Sequence, residues 1–163
     1  MKSKKLAVLA VLALCVVLAV ASAGCTGNNN AGITGSVTVL AADTLVDPMD
    51  DLEIAFDNRY VNADLTVEYG DSGILAAGLI AGTVTADVYI ADNTDDAQAV
   101  VDAGLAKEYA VFATKDVGGS TIKAAYTLMK ASEEEQAPLT FVTLLKGGDC
   151  KAIFKYYGYT VDL

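Results

Sequence analysis

Two hydroxyl side chains stand where a chain of this kind could hold an anion. Thr44 lies in Ala41-Ala42-Asp43-Thr44-Leu45, and Ser72 lies in Gly70-Asp71-Ser72-Gly73. Each follows an apolar, β-branched run and precedes a segment with helical spacing, so each is expected between the end of a strand and the first turn of a helix. The free N–H groups of a helix N-terminus, helped by a nearby hydroxyl, can cradle an oxyanion without any positive charge. Plain helix capping is the competing role, since Ser and Thr cap well. Two such loops after consecutive strands favour the anion reading over either loop alone.

Acids flank both hydroxyls. Asp43 precedes Thr44 and Asp71 precedes Ser72, and a carboxylate aimed at a bound dianion in a partly buried site is repulsive by several kcal/mol. These side chains must therefore turn away, or cap the helices themselves. Paired carboxylates could also serve acid–base catalysis, but the 163-residue chain has no His and nothing else that supplies a nucleophile or base. The chain is read as a non-enzyme. The stretch Asp92-Asn93-Thr94-Asp95-Asp96 lacks the glycine and the distant Glu of an EF-hand loop, and is read as a helix N-terminus with acids in its first turn. A net charge of −10 with a single Arg excludes nucleic acid as a partner. Cys150 has no partner in any disulfide framework and no metal-ligand spacing around it; it is expected to be a semi-buried helix residue.

The elements that position these residues alternate along the chain. Residues 36–42 read as a buried strand, and Asp47-Pro48 as the start of a helix reaching Arg59. Leu65, Val67 and Tyr69 alternate with polar neighbours as a second strand, followed by a small-residue helix over residues 74–81 closed by Gly82. Residues 86–91 form a third strand, Thr94 or Asp95 caps a further helix ending near Gly104, and residues 109–113 form a fourth strand. Three helices are expected beyond it, over residues 121–132, 137–146 and 149–157. Such alternation implies an α/β fold, a mostly parallel sheet flanked by helices on both faces. Open parallel sheets bind ligands outside the carboxyl ends of their strands, which is where Thr44 and Ser72 fall.

The N-terminal residues read as an address. Three Lys within residues 1–5 precede fifteen apolar residues (6–20) and the small residues Ala21, Ser22, Ala23 and Gly24, the order of an export signal. Residues 1–24 are therefore assigned to a signal peptide, 25–34 to a polar tether and 35–163 to the working lobe, outside the cytoplasmic membrane. Ser22-Ala23-Gly24-Cys25 resembles a lipobox, in which Cys25 is lipidated and anchors the chain to the outer face of the membrane; Ser22 departs from the usual aliphatic residue. Ala21-Ser22-Ala23 also fits ordinary signal cleavage, which would leave a secreted protein. Loss of residues 1–24 removes Lys2, Lys4 and Lys5, leaving 8 basic against 21 acidic residues and a net charge of −13. That balance disfavours long-range attraction of an anion at low salt.

Beyond these local signals, VTVLAADTLVDPMDDLEIAF, VEYGDSGILAAGLIAG, ADVYIADN and VVDAGLAKE occur in an order that resembles the N-terminal portion of the molybdate- and tungstate-binding proteins of ABC importers. TLLKGGDCKAIFKYYGYTVDL, with Lys155-Tyr156-Tyr157-Gly158-Tyr159-Thr160, is similar to the closing helix and terminal signature of that family. The resemblance implies a single lobe of a periplasmic-binding-protein-like fold, with Thr44 and Ser72 as oxyanion ligands, Asp43 and Gly73 in the same loops, and the loop amides contributing. It implies no cofactor, and it implies an ABC permease as partner. In the family two lobes clamp the ligand. Here KEYAVFATK (107–115) looks like a hinge strand, and only residues 116–132 separate it from the closing segment, so the second lobe is missing by this comparison. One-sided coordination leaves an anion open to water, where each hydrogen bond nets only about 1 kcal/mol. Three outcomes follow from it: weak binding by the lone lobe, a cleft rebuilt by a homodimer, or a non-binding remnant serving as an interaction module.

Overall fold

The computed structural model describes residues 32–161; the signal segment with both its cleavage alternatives, Cys25 and most of the tether lie outside them. Among the described residues the order is β1 (Gly35–Ala42), α1 (Val46–Arg59), β2 (Ala63–Gly70), α2 (Ser72–Ala81), β3 (Val88–Ala91), α3 (Thr94–Asp102), β4 (Ala106–Val117), β5 (Ser120–Met129), α4 (Gln136–Leu145) and α5 (Gly148–Tyr156). Short 3-10 turns at Asp43–Leu45 and Lys130–Ser132 precede α1 and α4.

The five strands form one sheet in the order β2-β1-β3-β5-β4. β1 pairs in parallel with β2 and β3, whereas β5 runs antiparallel to both β3 and β4. Four strands thus point one way, and β5 alone points back. Side-chain alternation along β1 and β3 feeds two cores. Val37, Val39, Ala41, Val88 and Ile90 pack against α1, α4 and α5 through Leu52, Phe56, Phe141 and Phe154. Leu40, Tyr89 and Ala91 pack against α2 and α3 through Ala76, Leu79, Ala97 and Val100. Helices therefore cover both faces, as the alternating pattern predicted.

Local chemistry explains most of the boundaries. Pro48 is buried in the first turn of α1, where its missing N–H costs nothing; the helix begins at Val46, so Asp47 sits in its first turn instead of capping it. The cap of α3 is Asn93, one residue before the expected Thr94 or Asp95, and its side chain accepts from Asp96 N at 2.9 Å. Cys150 is fully buried in α5, deeper than expected, and burial alone pushes its thiol up to about 12.

Residues 121–132 are the clear correction: the expected helix is strand β5 and a 3-10 turn. β4 returns directly into β5 through Gly118-Gly119, with Val117 paired to Ser120 and φ values of 57° and 92° at the two glycines. Two successive positive φ values define a type I′ turn, whose twist matches that of a two-residue hairpin. Gly119→Val should cost about 1–2 kcal/mol, because a β-branched residue is forced into the left-handed region. Urea unfolding of Gly119→Val beside Gly119→Asn checks this, since Asn tolerates the conformation and should lose much less.

Candidate functional site

The parallel strands end flush. Ala42 of β1 is opposite Gly70 of β2, and Ala41 is opposite Ile90 one residue before β3 ends. The loops after all three strands consequently emerge along one rim, which carries Asp43 and Thr44, then Asp71, Ser72 and Gly73, then Asp92 and Asn93. The topology thus brings the two hydroxyl loops of the sequence reading to one edge, each next to a helix N-terminus.

Their side chains are engaged locally. Thr44 Oγ1 donates to Asp92 Oδ2 at 3.0 Å. Ser72 is buried, with its Oγ 2.8 Å from the Tyr89 hydroxyl, and that hydroxyl also reaches the Ser72 carbonyl at 2.8 Å. Asp71 caps α2 by accepting from Ile74 N at 3.0 Å, so the acid does what the capping alternative required and occupies one of the amides an anion would use. Asp43 is exposed in the first position of its 3-10 turn. A Cβ on Gly73 would lie 3.5 Å from Asp71 Oδ1 and 3.6 Å from Asp96 Oδ1, which places the first turns of α2 and α3 side by side.

The electrostatics of the rim are negative on this side. Burial pushes the Tyr89 phenol well above its ordinary value despite the Ser72 hydrogen bond, and the carboxylates of Asp96, Asp92 and Asp71 push the same way. Tyr89 is therefore a neutral donor at any physiological pH. Tyr159 is also raised, first by burial and then by Asp92 and Asp47; its hydroxyl lies 3.5 Å from the Thr44 carbonyl. Its ring packs on Phe154 at 5.2 Å. The sequence reading gave this tyrosine only as part of the terminal signature; it missed that the C-terminal tail, held to β4 by the Thr114–Thr160 bridge, brings the phenol to the first hydroxyl loop. Tyr89 and Asp92 were read only as strand and helix-start residues; no local signal marks a strand tyrosine as the partner of a serine seventeen residues earlier.

Among the described residues, no group of three or more His, Cys, Asp or Glu is arranged to hold a metal ion, and no helix is long and apolar enough to cross a membrane. The arrangement offers hydroxyls and helix N-termini for hydrogen bonding at a rim.

No curated protein matches the sequence. Residues 37–119, just over half of the chain, match the family of bacterial extracellular solute-binding proteins. Among solved structures, the fold is similar to the substrate binding domain assigned to a molybdenum ABC transporter of Clostridium difficile, with a TM-score of 0.67 at 13% identity over 80% of this chain and 100% of that one. The periplasmic molybdate-binding protein of Azotobacter vinelandii gives a TM-score of 0.67 at 12% identity, covering 78% of this chain and 100% of that one. A sulfate-binding protein of Mycobacterium tuberculosis gives 0.64 at 9% identity, covering 78% and 87%. At these identities the likeness is one of fold.

Proposed function

The chain belongs to the bacterial extracellular solute-binding proteins, and from that premise we propose that it binds a tetrahedral oxyanion, molybdate or tungstate, outside the cytoplasmic membrane and hands it to the permease of an ABC importer. The observation that carries this reading is the flush rim. It sets Thr44, Ser72 and the N-terminus of α2 at the carboxyl ends of adjacent parallel strands, where open α/β sheets take their ligands. Binding and handover are the whole mechanism, without bond chemistry. Lipidated Cys25, in the segment outside the described residues, would hold the lobe to the membrane.

In this reading Tyr89 keeps its proton on the Ser72 carbonyl and fixes the loop, while Ser72 turns its hydroxyl proton from the Tyr89 oxygen to the anion. Thr44 exchanges its bond to Asp92 for one to the anion, and the free amides of Ser72 and Gly73 complete one side. Asp43 stays turned to solvent. Calorimetric titration of the exported chain with molybdate, tungstate and sulfate tests the proposal. Micromolar binding is expected, weakened at least tenfold by Thr44→Ala and by Ser72→Ala, a loss of about 1.4 kcal/mol or more each.

A specific observation favours a second reading. The Thr44 hydroxyl is already given to Asp92 and the Ile74 amide to Asp71, so the site satisfies itself without a ligand. A folded chain that evolves no heat at millimolar anion would overturn the transport reading and leave a non-binding remnant of the family.

A further inference from the structure

The acids of the three rim loops are employed differently. Asp71 is taken up by the α2 cap, and Asp43 is exposed in its 3-10 turn. Asp92, half-buried just past the end of β3, is aimed at a hydroxyl of the site: its Oδ2 accepts from Thr44 Oγ1 at 3.0 Å. It is also held there. Its Oδ1 accepts from Asn93 Nδ2 at 3.0 Å, and its backbone carbonyl accepts from Lys123 N of β5 at 2.8 Å. Asn93 is fixed in turn, because its Oδ1 accepts from Asp96 N at 2.9 Å and its Nδ2 also donates to Asp96 Oδ2 at 2.6 Å. Among the described residues no Lys or Arg forms an ion pair with Asp92.

The position is central to the rim. The charge of Asp92 acts both on the Tyr89 phenol behind Ser72 and on the Tyr159 phenol beside the Thr44 carbonyl. A carboxylate fixed at that point meets whatever anion the two hydroxyl loops receive.

A threonine hydroxyl has one proton to give. Thr44 therefore donates to Asp92 or to an anion, and not to both. When it turns to the anion, Asp92 Oδ2 loses a charge-assisted hydrogen bond. The carboxylate is then left beside a second negative charge, at a half-buried place where repulsion is stronger than in water. We propose that Asp92 is a built-in competitor of the ligand: it holds the Thr44 hydroxyl when no anion is bound, opposes the anion that displaces it, and so limits the affinity of the rim. The proposal rests on the oxyanion reading of this same rim and adds the residue that sets how weakly the solute is held. A contact that retakes Thr44 as the anion leaves also favours release, which handover requires.

Calorimetric titration of the exported chain with molybdate and tungstate, beside Asp92→Asn, Asp92→Ala and Asp95→Asn, tests this. In Asp92→Asn the amide oxygen keeps the bond from Asn93 Nδ2, and the NH2 group faces Thr44, where it becomes a donor for the anion. Its Kd should fall by about tenfold or more. Asp92→Ala removes the competitor without adding a donor, and should bind more tightly than the native chain but less tightly than Asp92→Asn. Asp95→Asn takes the same charge from the exposed side of the same helix turn, and should change Kd by less than about twofold at physiological salt. Circular dichroism of each variant checks that the fold is kept. A native chain that binds, with Kd unmoved in both Asp92 variants, overturns the competitor alone. So does a gain in Asp92→Asn without one in Asp92→Ala, which assigns the effect to the new donor, or an equal gain in Asp95→Asn, which reduces it to net charge. Binding by both Asp92 variants where the native chain is silent supports the competitor. Silence of the native chain and of every variant overturns the oxyanion reading, and the competitor with it.

Discussion

Phe154→Ala is expected to lower the stability of the fold by about 4 kcal/mol, the range for emptying a fully buried aromatic site. Phe154 has no solvent exposure and sits between two rings, with Phe112 of β4 at 5.0 Å and Tyr159 of the C-terminal tail at 5.2 Å, both edge-on. Its loss removes transfer energy, two aromatic pairs and the packing that holds the tail. The tail carries the Thr114–Thr160 bridge and the Tyr159 phenol, so the change reaches the rim as well. Urea unfolding measures the first effect. Anion titration of the still-folded fraction measures the second, in which binding weakens although no rim residue has changed. A loss below about 1.5 kcal/mol would mean that the cavity collapses onto neighbouring side chains and that the stack is not what holds the tail.

Asp87→Ala is expected to cost about 3 kcal/mol, from two hydrogen bonds to a charged group and a stranded amide. One oxygen of Asp87 accepts from the backbone of Thr38 in β1 at 2.7 Å, and the other from Ser132 Oγ at 2.6 Å. Its backbone exchanges a further bond with each side, donating to the Thr38 carbonyl and accepting from Met129 N. The residue thus locks the start of β3 to β1 and to the exit of β5, at the edge of the sheet opposite the rim. Asp87→Asn keeps one acceptor and should lose about half as much, because an amide oxygen replaces one arm of the carboxylate. Equal losses for Ala and Asn would show that charge, not geometry, carries the lock.

Much of this fold is legible in short windows of sequence. The apolar runs that become β1 and β3, the Asp47-Pro48 start of α1 and the Gly82 stop of α2 work through nearest neighbours, by φ preference, capping and side-chain alternation. β5 is not legible in that way. It lies between β3 and β4 with both faces covered, so Ala124, Ala125, Tyr126 and Thr127 are all buried in succession. With no alternation, its Ala, Lys, Leu and Met content reads as helix by propensity. The Gly118-Gly119 pair was the available signal, since two glycines between β-rich runs favour a hairpin.

The site divides along the same line. By itself the sequence placed Thr44 and Ser72 after strands and before helices, because a strand end and a helix start are each set by residues within a few positions. It also set the acidity of the chain and the absence of His. Only the tertiary structure decided what each hydroxyl touches: Asp92 lies 48 residues from Thr44, and Tyr89 lies 17 from Ser72. It likewise decided which loops share the rim, through a strand order that puts β5 between β3 and β4. Strand order is fixed by the packing of both cores at once, and that is a sum over contacts distant in sequence which no local pattern contains.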